Sequence, residues 1–374
     1  MTTWRRLVSR AYGREAMPAL RGSASALDAL RRLADDDLCA QELLEESVRR
    51  IDRVVPSDGF FVAATDPQTT LCIGPGLIRD LPPDQCKPTW DHEFLVPDDA
   101  FAFRHIARGP RAVAGLDDVP GGSPRWSAFA AATGFRDELR AAFSVGDGVY
   151  GIGQFDRLGD APPFTGEERA WLERAAPVVA RGLRRALRKG TPAETVGRGP
   201  GMLVVDTAGR ILSATAEAEA WLDELDPWIG HRGLAHLPLS ADTYAAAVRA
   251  AAAGRSDAPL PRARLCTRRG TWLVVHASLL VGTDDLAVMI EPAQAGDVAP
   301  LIVDAYALTQ RELDVTRAIA RGLGTGEIAP LLGLSPHTVR DHVKAIFEKV
   351  GVGSRGELVA KVFAEHYAPP KLHV

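Results

Sequence analysis

The residues best placed to do chemistry lie in "LSPHTVRDHVKAIF", residues 334–347. Ser335 is a preferred N-cap, because its hydroxyl can accept from an otherwise unpaired backbone N–H of a first helical turn, and Pro336 suits the first helical position, where its missing N–H costs nothing. His337, Arg340, Asp341 and Lys344 then recur at helical spacing on one side, while Val339, Val343, Ile346, Phe347 and Val350 recur on another. The apolar stripe must pack. The polar one offers two permanent cations, an imidazole and a carboxylate, which suits hydrogen bonding and neutralisation of an anionic partner. An ordinary solvated surface helix carries the same kind of face, so the face alone leaves both readings open.

Other candidate constellations are weaker. Gly322-Leu323-Gly324-Thr325-Gly326 has the glycine content of a nucleotide loop, but no strand precedes it, and the chain contains no Gly-Lys pair, which excludes a Walker A loop. Asp35-Asp36-Asp37 lies in a helical run instead of after a buried strand, and reads as a solvated helix end or turn. Cys72, Cys86, His92 and His105 fit no metal-ligand spacing. With Cys39 and Cys266 counted, the cysteines form no CxxC pair and read as reduced thiols, mostly buried. No triad, paired carboxylates or metal cluster can be located, so the expectation is a non-enzyme without cofactor or metal.

A formal net charge of -4 argues against the whole surface binding nucleic acid, yet charge can be partitioned by domain. Lysine is partitioned: four of the six lie beyond residue 340. No apolar run approaches the roughly eighteen residues of a membrane span, and the Arg-rich first stretch lacks a signal-peptide core. A cytoplasmic protein without a membrane partner is expected.

The elements that must position the 334–347 face follow from periodicity. Beyond an N-terminal segment, 1–24, residues 25–189 read as one or two helices, short strands, a hairpin about Gly146-Asp147-Gly148, and a long amphipathic helix opened by a Thr165/Glu168 capping box. Its stripe of Trp171, Ala175, Val178, Val179, Leu183 and Leu187 predicts packing. Residues 190–199 read as a linker. Residues 200–295 hold a hairpin about Asp206–Gly209, a helix in "EAEAWLDEL" and three closing strands. After a second linker, 296–307, residues 308–366 carry four helical segments: 309–321, 326–332, 336–350 and 355–366. Gly333 ends the second and Ser335 starts the third, the spacing of a helix-turn-helix. The predicted fold class is therefore two α+β modules followed by an all-α four-helix domain.

The last module resembles the LuxR-type helix-turn-helix domain of bacterial transcription regulators. The matching residues are Leu308-Thr309, Arg311-Glu312, Gly322-Leu323, Glu327-Ile328-Ala329, Leu334-Ser335, Thr338-Val339-Arg340, His342, Lys349-Val350-Gly351-Val352, Ser354-Arg355 and Glu357-Leu358-Val359-Ala360. The resemblance implies that the helix from 336 is the recognition helix and that double-stranded DNA is the partner. The expected DNA-facing set is Thr325, Ser335, His337, Thr338, Arg340, Asp341 and Lys344. Gly324 and Gly326 stand where family members often carry polar or basic residues, which removes some phosphate contacts, while Thr325 is expected to cap the second helix. Asp341 beside a polyanion is tolerable if it accepts from cytosine N4 or orients Arg340 or Lys344.

Upstream, residues 25–189 resemble a GAF-type sensory domain through "AAFSVGDGVYGIGQFDR" and the helix after it. Residues 200–295 resemble a PAS-type domain through "GMLVVDTAGRILSAT" and the closing strands, without the asparagine often found after the second strand. These likenesses imply sensing of a small-molecule effector of unknown identity. The competing readings are ligand-free modules for dimerisation or partner binding, and an enzyme with an appended DNA-binding domain. Leu358, Val359, Val362 and Phe363 are more apolar than one short helix needs and predict a homodimer, since dimeric readers match two half-sites about one helical turn apart.

Overall fold

The computed structural model describes residues 22–67, 69–74, 76–81, 93, 99–119, 123, 134–187, 191–192, 199–225, 244–245, 248–249, 263–267, 270–294, 297–298, 306, 308–359 and 361. The first module runs α1 (Ser23–Asp35), α2 (Ala40–Ile51), β1 (Gly59–Ala64), β2 (Leu77–Arg79), α3 (Phe103–Arg108), β3 (Val113–Gly115), β4 (Phe135–Val145), β5 (Gly148–Leu158) and α4 (Gly166–Ala186). The five strands pair antiparallel in the order β2-β1-β5-β4-β3. The β4–β5 hairpin turns at Gly146, whose φ of 60° is the left-handed conformation that glycine adopts without a Cβ clash.

Both faces of this sheet are covered, which is why β1 and the middle of β4 and β5 are buried almost without alternation. Val62, Leu139, Ala141 and Phe155 share one core with Leu30, Leu44, Trp171, Leu172 and Leu183 of the helices. The whole predicted α4 stripe is buried there, and Thr165 caps the helix reciprocally with Glu168. The close fit needs Gly151, where an added Cβ would meet Leu183 Cδ1 at 2.6 Å and Ala63 O at 3.0 Å. The other face carries Phe61, Ala63, Ala142 and Ile152 against Phe101, Phe103 and Ile106.

That second face also buries Arg140. Its Nε donates to Glu138 at 2.8 Å, and its Nη1 donates to Glu93 at 3.1 Å and to the Phe101 carbonyl at 2.9 Å, with the guanidinium 4.3 Å from the Phe103 ring centre. A charge taken out of water requires this kind of complete pairing. Asp35 closes α1 and Asp36 caps it in the solvent, as a helix end should. Of the described cysteines only Cys72 is buried, Cys39 and Cys266 being partly exposed; Cys86 and His92 lie outside the described residues. Among the described residues no group of three His, Cys, Asp or Glu could hold a metal ion.

The second module comprises β6 (Thr191–Pro192), β7 (Gly201–Val205), β8 (Ile211–Ala214), α5 (Ala216–Leu225), β9 (Ala263–Cys266), β10 (Thr271–Leu279) and β11 (Leu286–Pro292). Strand order is β6-β10-β11-β7-β8, with β9 also on β10, and every pairing except β6–β10 is antiparallel. β6 falls inside the stretch read as a linker. Asp206 shapes the β7–β8 turn by accepting from the Ala208 and Arg210 N–H groups at 2.8 and 2.9 Å. Leu203, Val205, Leu273, Val275, Val288 and Ile290 line the face that packs on Trp221, Leu222 and Leu225.

The last domain is all helix: α6 (Gln310–Ala320), α7 (Thr325–Leu332), α8 (Pro336–Val350) and α9 (Arg355–Val359). The predicted class, two α+β modules and then a four-helix domain, is the observed one. No described helix is long and apolar enough to cross a membrane.

Candidate nucleic-acid interface

The outward face of α8 is positioned by a small core beneath it. Val339, Ile346 and Val350 of α8 pack with Val315, Ala318 and Ile319 of α6, Ile328 and Ala329 of α7, and Leu358 of α9, while Val343 and Phe347 are only partly buried at the edge. Gly333, at φ 66°, closes α7 in the left-handed conformation, and the Leu334 N–H returns to the Ala329 carbonyl at 2.8 Å. One residue later Ser335 Oγ accepts from the Thr338 N–H at 3.1 Å and lies 2.8 Å from Thr338 Oγ1, which starts α8 at Pro336. A tight turn between two fixed helix ends results.

Two long-range contacts brace this arrangement. Lys349 Nζ of α8 donates to Glu312 Oε2 of α6 at 2.6 Å, and the same carboxylate oxygen accepts from the Thr309 N–H at 2.6 Å. Arg355 donates to the Leu323 carbonyl at 2.9 Å and to Thr325 Oγ1 at 2.7 Å, tying α9 to the start of α7. Lys349, part of the lysine bias of the sequence, is thus spent inside the domain. Neither contact has a local signature: their partners are 37 and 30–32 residues apart.

Burial pushes the Glu312 carboxyl up, but the Lys349 ammonium and the Thr309 N–H outweigh it and hold its pKa below the ordinary value. A depressed folded pKa contributes stability above the unfolded value, about 4.3, and loses it as pH falls through the folded one. Glu312→Gln should therefore cost roughly 1–2 kcal/mol at pH 7, the scale of a charge-assisted hydrogen bond. The gap from wild type should narrow between pH 7 and a pH below the depressed folded value, where the carboxyl is protonated in both states. Denaturant titrations at the two pH values read this directly, and equal stability at pH 7 would show that the pair adds nothing.

The opposite side of α8 is exposed. Arg340, Asp341 and Lys344 point outward, and His337 Nδ1 lies 2.9 Å from Asp341 Oδ2, an i,i+4 pair with 78% and 66% of the side chains exposed. In the free protein Asp341 is therefore engaged with His337, the residue one turn before it, and Arg340 and Lys344 have no charged partner among the described residues. The face continues into an open groove of about 520 Å³ lined by Arg340, Lys344, Phe347, Glu348, Val352 and Glu357. Its cations sit toward the helix start and its carboxylates toward the end. Over residues 308–361 eight Lys and Arg stand against six Asp and Glu, so this domain is positive within an acidic chain. Exposed cations with no charged partner among the described residues, on a helix whose other side is anchored, can neutralise phosphates and present donors to base edges.

The remaining expected site residues are placed as follows. Ser335 is exposed and Thr338 half-buried at the helix start. Thr325 does not cap α7: Gly324 is the N-cap, its N–H donating to Glu327 Oε2 at 2.7 Å, because Glu327 reaches back from the third helical position and Arg355 occupies the Thr325 hydroxyl. Leu358 is fully buried in the core of its own domain, so its side chain is not available to a second chain as it stands; Val359 is half-buried against that core. Val362 and Phe363 lie outside the described residues.

Residues 306–362 match the family "Bacterial regulatory proteins, luxR family". Over 56 residues the chain is 45% identical to the transcriptional regulatory protein UhpA of Escherichia coli strain K12, covering 15% of this chain and 29% of UhpA. Over 48 residues it is 44% identical to the nitrate/nitrite response regulator protein NarP of the same strain, covering 13% of this chain and 22% of NarP. The matches thus span less than a third of each relative. A solved GAF domain from a phosphoenolpyruvate-protein phosphotransferase of Coxiella burnetii overlaps 45% of this chain and 96% of its own length, with 15% identity and a TM-score of 0.33. That overlap is too slight to define the upstream fold, which rests on its own strand order. Residues 306–362, with their capped turn between α7 and α8 and their anchored α8, are a LuxR-family helix-turn-helix domain.

Proposed function

We propose that the chain is a DNA-binding transcription regulator in which α8 reads the major groove and the two upstream modules tune it. The carrying observation is the outward face of α8, where Arg340 and Lys344 are exposed without a carboxylate partner among the described residues, on a helix braced from behind. The similarity to UhpA and NarP supports the reading for this domain. Lys344 is a flexible point charge suited to a phosphate, so Lys344→Ala should lower the slope of log affinity against log salt by about 0.9 and weaken all duplex sequences alike. Titration against a duplex selected from a random pool, and against a random one, checks this. An unchanged slope would remove Lys344 from the interface.

On this reading the chain pairs on DNA as a homodimer, with Val359 and the segment beyond it supplying the contact, and its effector is a small molecule held upstream. Sedimentation with a full site tests pairing: one chain per site in protein excess argues against it. One observation favours the ligand-free alternative for the first module. Arg140, the charge buried on the far face of its sheet, is already satisfied by Glu138, Glu93 and the Phe101 carbonyl. Native mass spectrometry of protein purified from its own host separates the two, since a stoichiometric small molecule favours sensing and its absence favours a scaffold.

A further inference from the structure

One loop of the first module reaches into the core of the second. After β1 the chain turns back on itself. Thr65 and Cys72 form an isolated antiparallel bridge, the Asp66 N–H donates to the Leu71 carbonyl at 2.9 Å and the Thr70 N–H to the Asp66 carbonyl at 2.8 Å. Thr70 adopts φ 62°, a left-handed conformation costly for a β-branched residue, which persists where surrounding contacts over-determine it. The tip does not serve the first module: Leu71 is 2% exposed and packs in the core of the second, with Val205, Leu265 and Leu273. Ile73 continues the contact by accepting, through its carbonyl, from the Cys266 N–H of β9.

A buried ion pair fastens this loop. Asp66 is 3% exposed, and its Oδ2 accepts from Arg264 Nε at 2.9 Å and Nη2 at 2.5 Å. The third nitrogen of the same guanidinium, Nη1, donates to the Asp297 carbonyl at 3.3 Å. Asp297 opens the connector to the last domain: its Oδ2 accepts from the Gln294 N–H at 2.9 Å, and the next residue, Val298, is fully buried. Val298 and Tyr306 belong to the same continuous apolar cluster as Val315 and Ile319 of α6. One planar side chain on β9 therefore holds a loop of the first module and the start of the connector at once. Arginine can do this because its fork carries donors in several fixed directions, whereas a lysine ammonium is a single point.

We propose that Asp66 and Arg264 form a clasp through which the first module sets the freedom of the connector, and thereby the affinity of α8 for DNA. Seated, the clasp fixes Asp297; released, it frees the connector while leaving each module folded. The proposal rests on the DNA-binding reading and gives its tuning a physical route. Coupling requires only that the clasped and released states differ in DNA affinity, in either direction.

The test uses the full chain with Asp66→Asn, Arg264→Lys and the double variant. Arg264→Lys keeps a cation for Asp66 but loses simultaneous reach to Asp297, and it keeps the test usable if loss of the Asp66 charge unfolds the junction. Hydrogen exchange should quicken at Asp297 and Val298 in every variant, with β10 and β11 protection unchanged. Affinity for a duplex selected from a random pool should shift by roughly 2- to 30-fold, in the same direction in each single variant, with little further change in the double. Faster exchange at the connector with wild-type affinity would reduce the clasp to packing, and unchanged exchange would show that it does not hold the connector. A wild-type chain that binds no duplex would instead sink the DNA reading, and the exchange results would tell the two failures apart.

Discussion

Replacing Leu358 by alanine is expected to unfold the DNA-binding domain instead of merely separating two chains. Its side chain is fully buried in the domain core, where α9 packs on α6, and truncating a buried leucine costs about 2–5 kcal/mol through lost burial and the cavity left behind. Small domains have only about 5–15 kcal/mol in total, so the loss takes a large share. Melting of the variant should be lowered to the same extent at every protein concentration, with binding weakened on all sequences. A purely dimer-stabilising side chain would give the opposite pattern, a concentration-dependent melt and an intact monomer. Thermal unfolding over a hundredfold concentration range distinguishes them, and half-buried Val359 should respond less.

Arg340→Ala should leave folding unchanged and strike specificity. Arg340 lies at the fifth position of α8, exposed and with no acceptor of its own among the described residues. Its planar fork can hold guanine O6 and N7 together, a pairing worth about 1–3 kcal/mol of discrimination. The variant should lose that amount on the preferred duplex, much less on a random one, and accept other bases at one position. Asp341→Ala should strengthen random-duplex binding and blur the site, since it removes a carboxylate from the face and leaves His337 without its partner. Competition titrations with single-base-pair variants of the selected duplex measure both effects. An equal loss on every sequence would place Arg340 on a phosphate.

Local patterns in the sequence carried the fold as far as local physics reaches. The capping box at Thr165/Glu168, the Ser335-Pro336 start and the Gly333 stop all fix helix ends through groups within four residues, and all stand in the structure. The turns at Gly146 and Asp206 were readable for the same reason. Thr325 was misread because two residues compete for one cap, and the outcome depends on Arg355, 30 residues away. Leu358 looked like surplus apolar surface because periodicity shows that a residue is apolar and not which chain it packs against. Lys349 counted only toward the lysine bias of the last domain, since its partner Glu312 lies 37 residues away. The Asp66–Arg264 clasp joins residues 198 apart and has no sequence signal at all.

The outer face of α8 is the proposed reading element. Its most direct test is the affinity of the full chain and of Lys344→Ala and Arg340→Ala for selected and random duplexes across a series of salt concentrations. The expected result is a linear fall of log affinity with log salt and a preference for the selected duplex. Lys344→Ala should lower the slope by about 0.9 with preference retained. Arg340→Ala should lose about 1–3 kcal/mol of preference. Wild-type affinity, slope and preference in both variants would contradict it, and would mean that the outer face of α8 is only solvated.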